Sequence, residues 1–153
     1  MYTTENTPAM QEKIDHSYTR QRLSSLVGVR CKLHSVHSMS HACGADQTLR
    51  LHHGTLNAVL LPTILDFNRD YVGDKYTRLS EAMGIGSSSD PADFIRELNV
   101  EMGLPATLSE MGIQKSAIPA LASHAAKDIC TFTNPRPCTA AEYEVLFATA
   151  LAE

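Results

Sequence analysis

The side chains best suited to chemistry in this sequence are histidines, and they are bunched. Five of the seven lie between His34 and His53. His37 and His41 are four residues apart, so on a helix both imidazoles leave one face and can converge on a common point. Gly44 offers a left-handed stop, and Ala45 to His52 read as a loop. His53-Gly54 then stands directly before Leu56, Val59, Leu60 and Ile64, the spacing of a second helix. Neutral imidazole is the commonest side-chain metal ligand, and a divalent cation needs several that converge. A lone histidine is more often a surface or core residue, but a cluster at these spacings points to metal or catalytic use.

The elements that must position these residues are helical. Residues 1–9 are expected to be disordered, and 10–153 to form one helical metal-binding domain. A ragged apolar stripe through Ile14, Tyr18, Leu23 and Val27 predicts a helix from Ala9 to Val27. Thr55 to Asn68 is a helix that Pro62 should kink by removing one hydrogen bond. Asp74 and Asp90-Pro91 start the next two helices, and Ser116 can cap a third. Thr131 to Pro137 is a loop whose Arg136 braces neighbouring helix ends, and Thr139-Ala-Ala-Glu142 is a capping box before the last helix. No segment alternates apolar and polar residues as a strand would. The expected fold class is all-α, a multi-helix bundle.

Composition narrows the function. At 153 residues and 43% hydrophobic, the chain can bury one core. Its net charge is −4 with both signs interleaved, which offers no basic field to nucleic acid or to an anionic membrane. No apolar run approaches the roughly 18 residues that span a bilayer, and the N-terminus lacks the apolar core of a secretory signal. A cytoplasmic location is the expectation. Four cysteines are too sparse for a disulfide scaffold, and the spacing from Cys31 through His37 and His41 to Cys43 fits no paired zinc template. Gly84 to Asp90 follows a helix and lacks a lysine, so it reads as a surface loop, not a phosphate site.

Several ordered landmarks resemble a known family. His37-x-x-x-His41, a short loop, and His53-Gly54-x-x-Asn57-Ala58-x-Leu60-Leu61-Pro62 are similar to the metal-site region of the iron-containing alcohol dehydrogenases. The resemblance continues through Lys75 to Met83, Met102-Gly-Leu-Pro105, Leu108 to Gly112 and Thr133-Asn-Pro-Arg-Pro137, covering about residues 20–151. Two stretches depart from it: Val29 to Ser35 is shorter and more polar than that family's approach to the first histidine, and the loop from Ala42 to His52 is slightly longer.

The resemblance implies the helical C-terminal domain of an NAD- or NADP-dependent dehydrogenase that interconverts small alcohols and aldehydes. It implies that His37 and His53 are ligands to Fe2+ or Zn2+. It implies that His41 faces nicotinamide and substrate without being a principal ligand, as a catalytic and cofactor-binding residue. In that family an Asp and a second His complete the metal site from an upstream region, together with the nucleotide-binding domain. Nucleotide is therefore expected to bind only with that missing domain, such as a separate nucleotide-binding polypeptide. The alternative is a non-catalytic helical interaction module with a vestigial metal site. An apolar face left open by the missing domain, with Leu49, Leu51, Leu56, Val59, Leu60 and Leu61 as candidates, predicts a homo-oligomer.

Overall fold

A computed structural model describes residues 34–45 and 49–152. The helix expected over 9–27, the N-terminal stretch 1–9 and Cys31 lie outside the described residues. Among the described residues the regular elements are all helical: α1 (His34–Gly44), α2 (His53–Val72), α3 (Asp74–Ala82), α4 (Pro91–Glu101), α5 (Ile118–Ala125) and α6 (Ala140–Ala152). Two 3-10 turns, Lys115–Ala117 and Ile129–Thr133, precede and follow α5. The all-α expectation holds.

The core forms around α1, which packs against α2, α5 and the second 3-10 turn. Seven of its eleven residues are buried, among them Ser35, Ser38 and Ser40. Short side chains let neighbours approach from several sides, but buried hydroxyls need partners. For Ser35 and Ser38 the partners are Tyr143 and Thr131. Thr131 Oγ1 donates to the Ala125 carbonyl at 2.7 Å and sits 2.9 Å from Ser38 Oγ. The Tyr143 hydroxyl bridges Thr131 at 2.8 Å and Ser35 at 3.0 Å. This satisfied network ties α1, α6 and the second turn together in one register.

α2 is the longest helix, and Leu56, Leu60 and Ile64 on it are fully buried. Each such side chain contributes roughly 1.5–3 kcal/mol. Pro62 lies inside α2 and cannot donate to the Ala58 carbonyl one turn earlier. That carbonyl instead accepts from Asn99 Nδ2 of α4 at 2.8 Å, so the lost helix bond becomes a link between helices. Gly73 alone joins α2 to α3, at a φ of +50° that a side chain would strain.

Three local expectations are corrected. Asp74 is the first residue of α3 and its side chain makes no cap; the preceding residue, Gly73, has no side chain to offer one. Ser116 sits inside a 3-10 turn, and Ala117, the residue before α5, offers no side-chain cap. Thr131 to Thr133 are 3-10 helix, not loop, because Asp128 caps the turn by accepting from Cys130 N at 2.8 Å. Other expectations hold. Asp90 caps α4, and Thr139 and Glu142 form the reciprocal box ahead of α6, with the Thr139 N–H donating to Glu142 at 2.8 Å and the Glu142 N–H donating to Thr139 at 3.3 Å. Leu56, Val59 and Leu60 fill the domain's own core, whereas Leu49 is exposed.

Candidate metal centre

α1 and α2 bring the three singled-out histidines together. The ring centroids of His37 and His41 are 6.1 Å apart, those of His37 and His53 5.6 Å, and those of His41 and His53 5.4 Å. His41 and His53 stack with an interplanar angle of 18°. The i, i+4 spacing on α1 and the position of His53 at the first residue of α2 produce this convergence. His52, the residue before, takes no part in it: its Nδ1 accepts from the Thr55 N–H and caps α2. His34 is engaged elsewhere, with the hydroxyl of Thr133, and His124 is exposed on α5.

The nitrogens of the cluster differ in what they can do. Ser40 donates its hydroxyl proton to the His37 carbonyl at 3.1 Å, so an oxygen lone pair faces His53 Nδ1 at 3.3 Å. With the hydroxyl proton on that carbonyl, His53 Nδ1 carries the proton and Nε2 keeps a free lone pair, the form a metal needs. His37 Nδ1 is buried and has no hydrogen-bond partner among the described residues. Burial, then the nearby rings of His53, His41 and His34, holds the pKa of His37 below that of an ordinary histidine, against an opposing pull from Asp128. Burial, then His41 and His52, lowers that of His53. Both imidazoles are therefore biased to the neutral, electron-pair-donating form. An unpartnered buried nitrogen and neutral imidazoles are a donor set that fits a divalent metal.

His41 stands apart. Its side chain remains 44% exposed, and its Nδ1 is 2.9 Å from Oδ2 of Asp128, which is itself only 15% exposed. His41, Asp128 and Cys130 offer ligand atoms that all lie within 4.8 Å of one another. Burial, then Asp128, raises the pKa of the Cys130 thiol. Both Asp128 oxygens already accept hydrogen bonds, one from His41 and one from Cys130 N. Through these bonds Asp128 ties His41 to the second 3-10 turn.

Sequence reading alone did not single out Ser40 or Asp128. Ser40 is recognisable only once the helix shows it facing His53. Asp128 lies 87 residues from His41, and no local spacing signals that contact.

The described residues form an all-α domain that brings three histidines together across a helix pair. The chain belongs to the iron-containing alcohol dehydrogenase family: the family model described as "Fe-containing alcohol dehydrogenase family, C-terminal" matches residues 22–151. It is 39% identical over 115 residues to 4-hydroxybutyrate dehydrogenase of Cupriavidus necator, covering 71% of this chain and 30% of that protein. It is 37% identical over 123 residues to lactaldehyde reductase of Escherichia coli strain K12, covering 75% and 32%. Among solved structures it is similar to a 1,3-propanediol oxidoreductase, with a TM-score of 0.70 and 29% identity over 76% of this chain and 32% of that one. The chain thus spans about a third of the length of these relatives.

Proposed function

We propose that this chain forms the metal-site part of an alcohol dehydrogenase that moves a hydride between a small alcohol and NAD or NADP. The observation that carries the reading is the convergence of His37, His41 and His53 from two helices in a chain of this family. His37 and His53 would hold the metal, with iron favoured by the family. When bound, that metal supplies Lewis-acid polarisation of the substrate oxygen. His41, exposed where His37 is half-buried, would face the reacting substrate and the nicotinamide. Ser40 keeps His53 in the ligating tautomer, and burial keeps His37 neutral.

Two ligands leave a catalytic metal short of the three or four it takes from protein. The others, and the dinucleotide cradle, are proposed to come from residues outside this chain. Ile129 and Phe132, 81% and 79% exposed on the turn that Asp128 caps, suit burial against that nucleotide-binding part.

Metal analysis and calorimetry on the purified chain test the reading. Binding is expected to be weak, lost in His37→Ala and in His53→Ala, and largely spared in His41→Ala. Equal loss in all three variants would overturn the assignment of roles. Undiminished binding in the double variant lacking His37 and His53 would overturn the site, and no binding by the wild type would favour a non-catalytic interaction module.

A further inference from the structure

We propose that Asp128 is a positioning residue that fixes His41 as its Nδ1–H tautomer and so makes Nε2 the atom with the free lone pair. An ionised carboxylate has only acceptors to offer, so a 2.9 Å contact between Asp128 Oδ2 and His41 Nδ1 requires the proton on Nδ1. An imidazole left to water prefers the opposite tautomer, with the proton on Nε2. The carboxylate therefore reverses the intrinsic preference.

Asp128 is built to stay in place. Its second oxygen accepts the Cys130 N–H at 2.8 Å, and its neighbour Ile129 opens the 3-10 turn. That turn is pinned in turn by buried Thr131, bonded to the Ala125 carbonyl and to Ser38 of α1. Ser38 and His41 lie one turn apart on the same helix, so turn and imidazole are held to one frame. The Cys130 N–H, the Tyr143–Thr131 pair and His41 thus act on one short segment. The Cys130 N–H and His41 also keep the Asp128 carboxyl below the ordinary carboxylate range, against the opposing effect of burial.

The consequence concerns the substrate side. With Nε2 free to accept, His41 can take a hydrogen bond from a substrate hydroxyl; with the tautomer reversed it would present an N–H there and could only donate. That use of the lone pair rests on the function proposed above, whereas the tautomer itself does not.

The experiment is long-range proton–nitrogen NMR on the full chain, metal-free and labelled at histidine, at about pH 9, where an ordinary imidazole is neutral. His41 is assigned by the signals missing from His41→Gln. We expect His41 Nδ1 to carry the proton in the wild type. In Asp128→Asn the amide oxygen can keep the Cys130 cap while its NH2 faces His41 Nδ1, so the proton should move to Nε2, with His37 and His53 signals little changed. A wild-type His41 protonated on Nε2, or an Asn variant with an unchanged tautomer, overturns the proposal. Should the Asn variant not fold, the wild-type spectrum still decides. Failure of metal binding would leave these spectra as expected, so the two readings fail separately.

Discussion

The two ends of α2 are built from similar residues and put to different use. At the N-terminal end, His53 enters a cluster in which His37 Nδ1 is buried without a partner among the described residues, and Asn57 Oδ1 one turn on is equally unpartnered there. At the C-terminal end every polar group named is closed. Asn68 and Asn134 exchange amide hydrogen bonds at 3.1 and 2.8 Å while both are buried. Arg136 donates to the Phe67 carbonyl at 3.2 Å, stacks 3.9 Å over the Phe67 ring and reaches Glu142 at 3.4 Å. Arg69 pairs with Asp66 and Asp90, and the Tyr76 hydroxyl donates to Asp90 at 2.9 Å. A satisfied buried polar pair specifies packing. Unsatisfied buried nitrogens are costly to stability and are retained where a ligand completes them. One end of the helix is closed by hydrogen bonds, and the other carries buried polar atoms that have no partner among the described residues.

Breaking the closed end should have the largest effect. Asn68→Ala removes both bonds to Asn134 and leaves its buried Oδ1 without a donor, while Nδ2 keeps only the Arg136 carbonyl, so we expect a loss of about 2–4 kcal/mol in urea unfolding with the histidine cluster otherwise intact. A change below about 0.5 kcal/mol would remove the distinction between the ends. Next comes the middle of the helix: Asn99→Ala reopens the carbonyl that Pro62 leaves free and should cost about 1–3 kcal/mol. Restoring the helix bond with Pro62→Ala in the Asn99→Ala background should recover part of it, and no recovery would show that Asn99 acts elsewhere.

The smallest effect is acid-dependent. Burial tends to raise the pKa of Asp90, but the Ala92 N–H, the Tyr76 hydroxyl and Arg69 outweigh it and hold the carboxyl below the ordinary range. Its stabilising contribution is therefore complete above the unfolded carboxylate pKa of about 4 and is lost as pH falls through the lower folded value. Asp90→Asn keeps a competent cap and should flatten the fall in stability below about pH 4. An unchanged acid limb would place the acid sensitivity in other carboxylates.

The helices, the Asp90-Pro91 start, the Thr139–Glu142 box and the bracing role of Arg136 were legible because each is written in neighbouring residues. So was the meeting of His37 and His41, a consequence of helical spacing. What was not legible depends on contacts far apart in sequence: Asp128 with His41, Asn99 with Ala58, Asn68 with Asn134. Nor could hydrophobicity tell which leucines were core. Leu56 and Leu60 are buried, while Ile129 and Phe132, never suspected, stand exposed beside the site. Burial is set by which face of an element meets a neighbour, and the 3-10 turn that carries these two overlaps a stretch, Thr131 to Pro137, expected to be loop.

The central claim, that His37 is held for a ligand and not for stability, is tested most directly by urea unfolding of His37→Leu with and without ferrous iron under anaerobic conditions. Replacing an unpartnered buried nitrogen by an apolar side chain should leave the metal-free protein as stable as the wild type or more so. Iron should raise the wild-type midpoint and leave that of the variant unmoved, since a ligand stabilises only the state it binds. A metal-free loss of about 2 kcal/mol or more, or an iron-induced shift that survives in His37→Leu, would contradict the account.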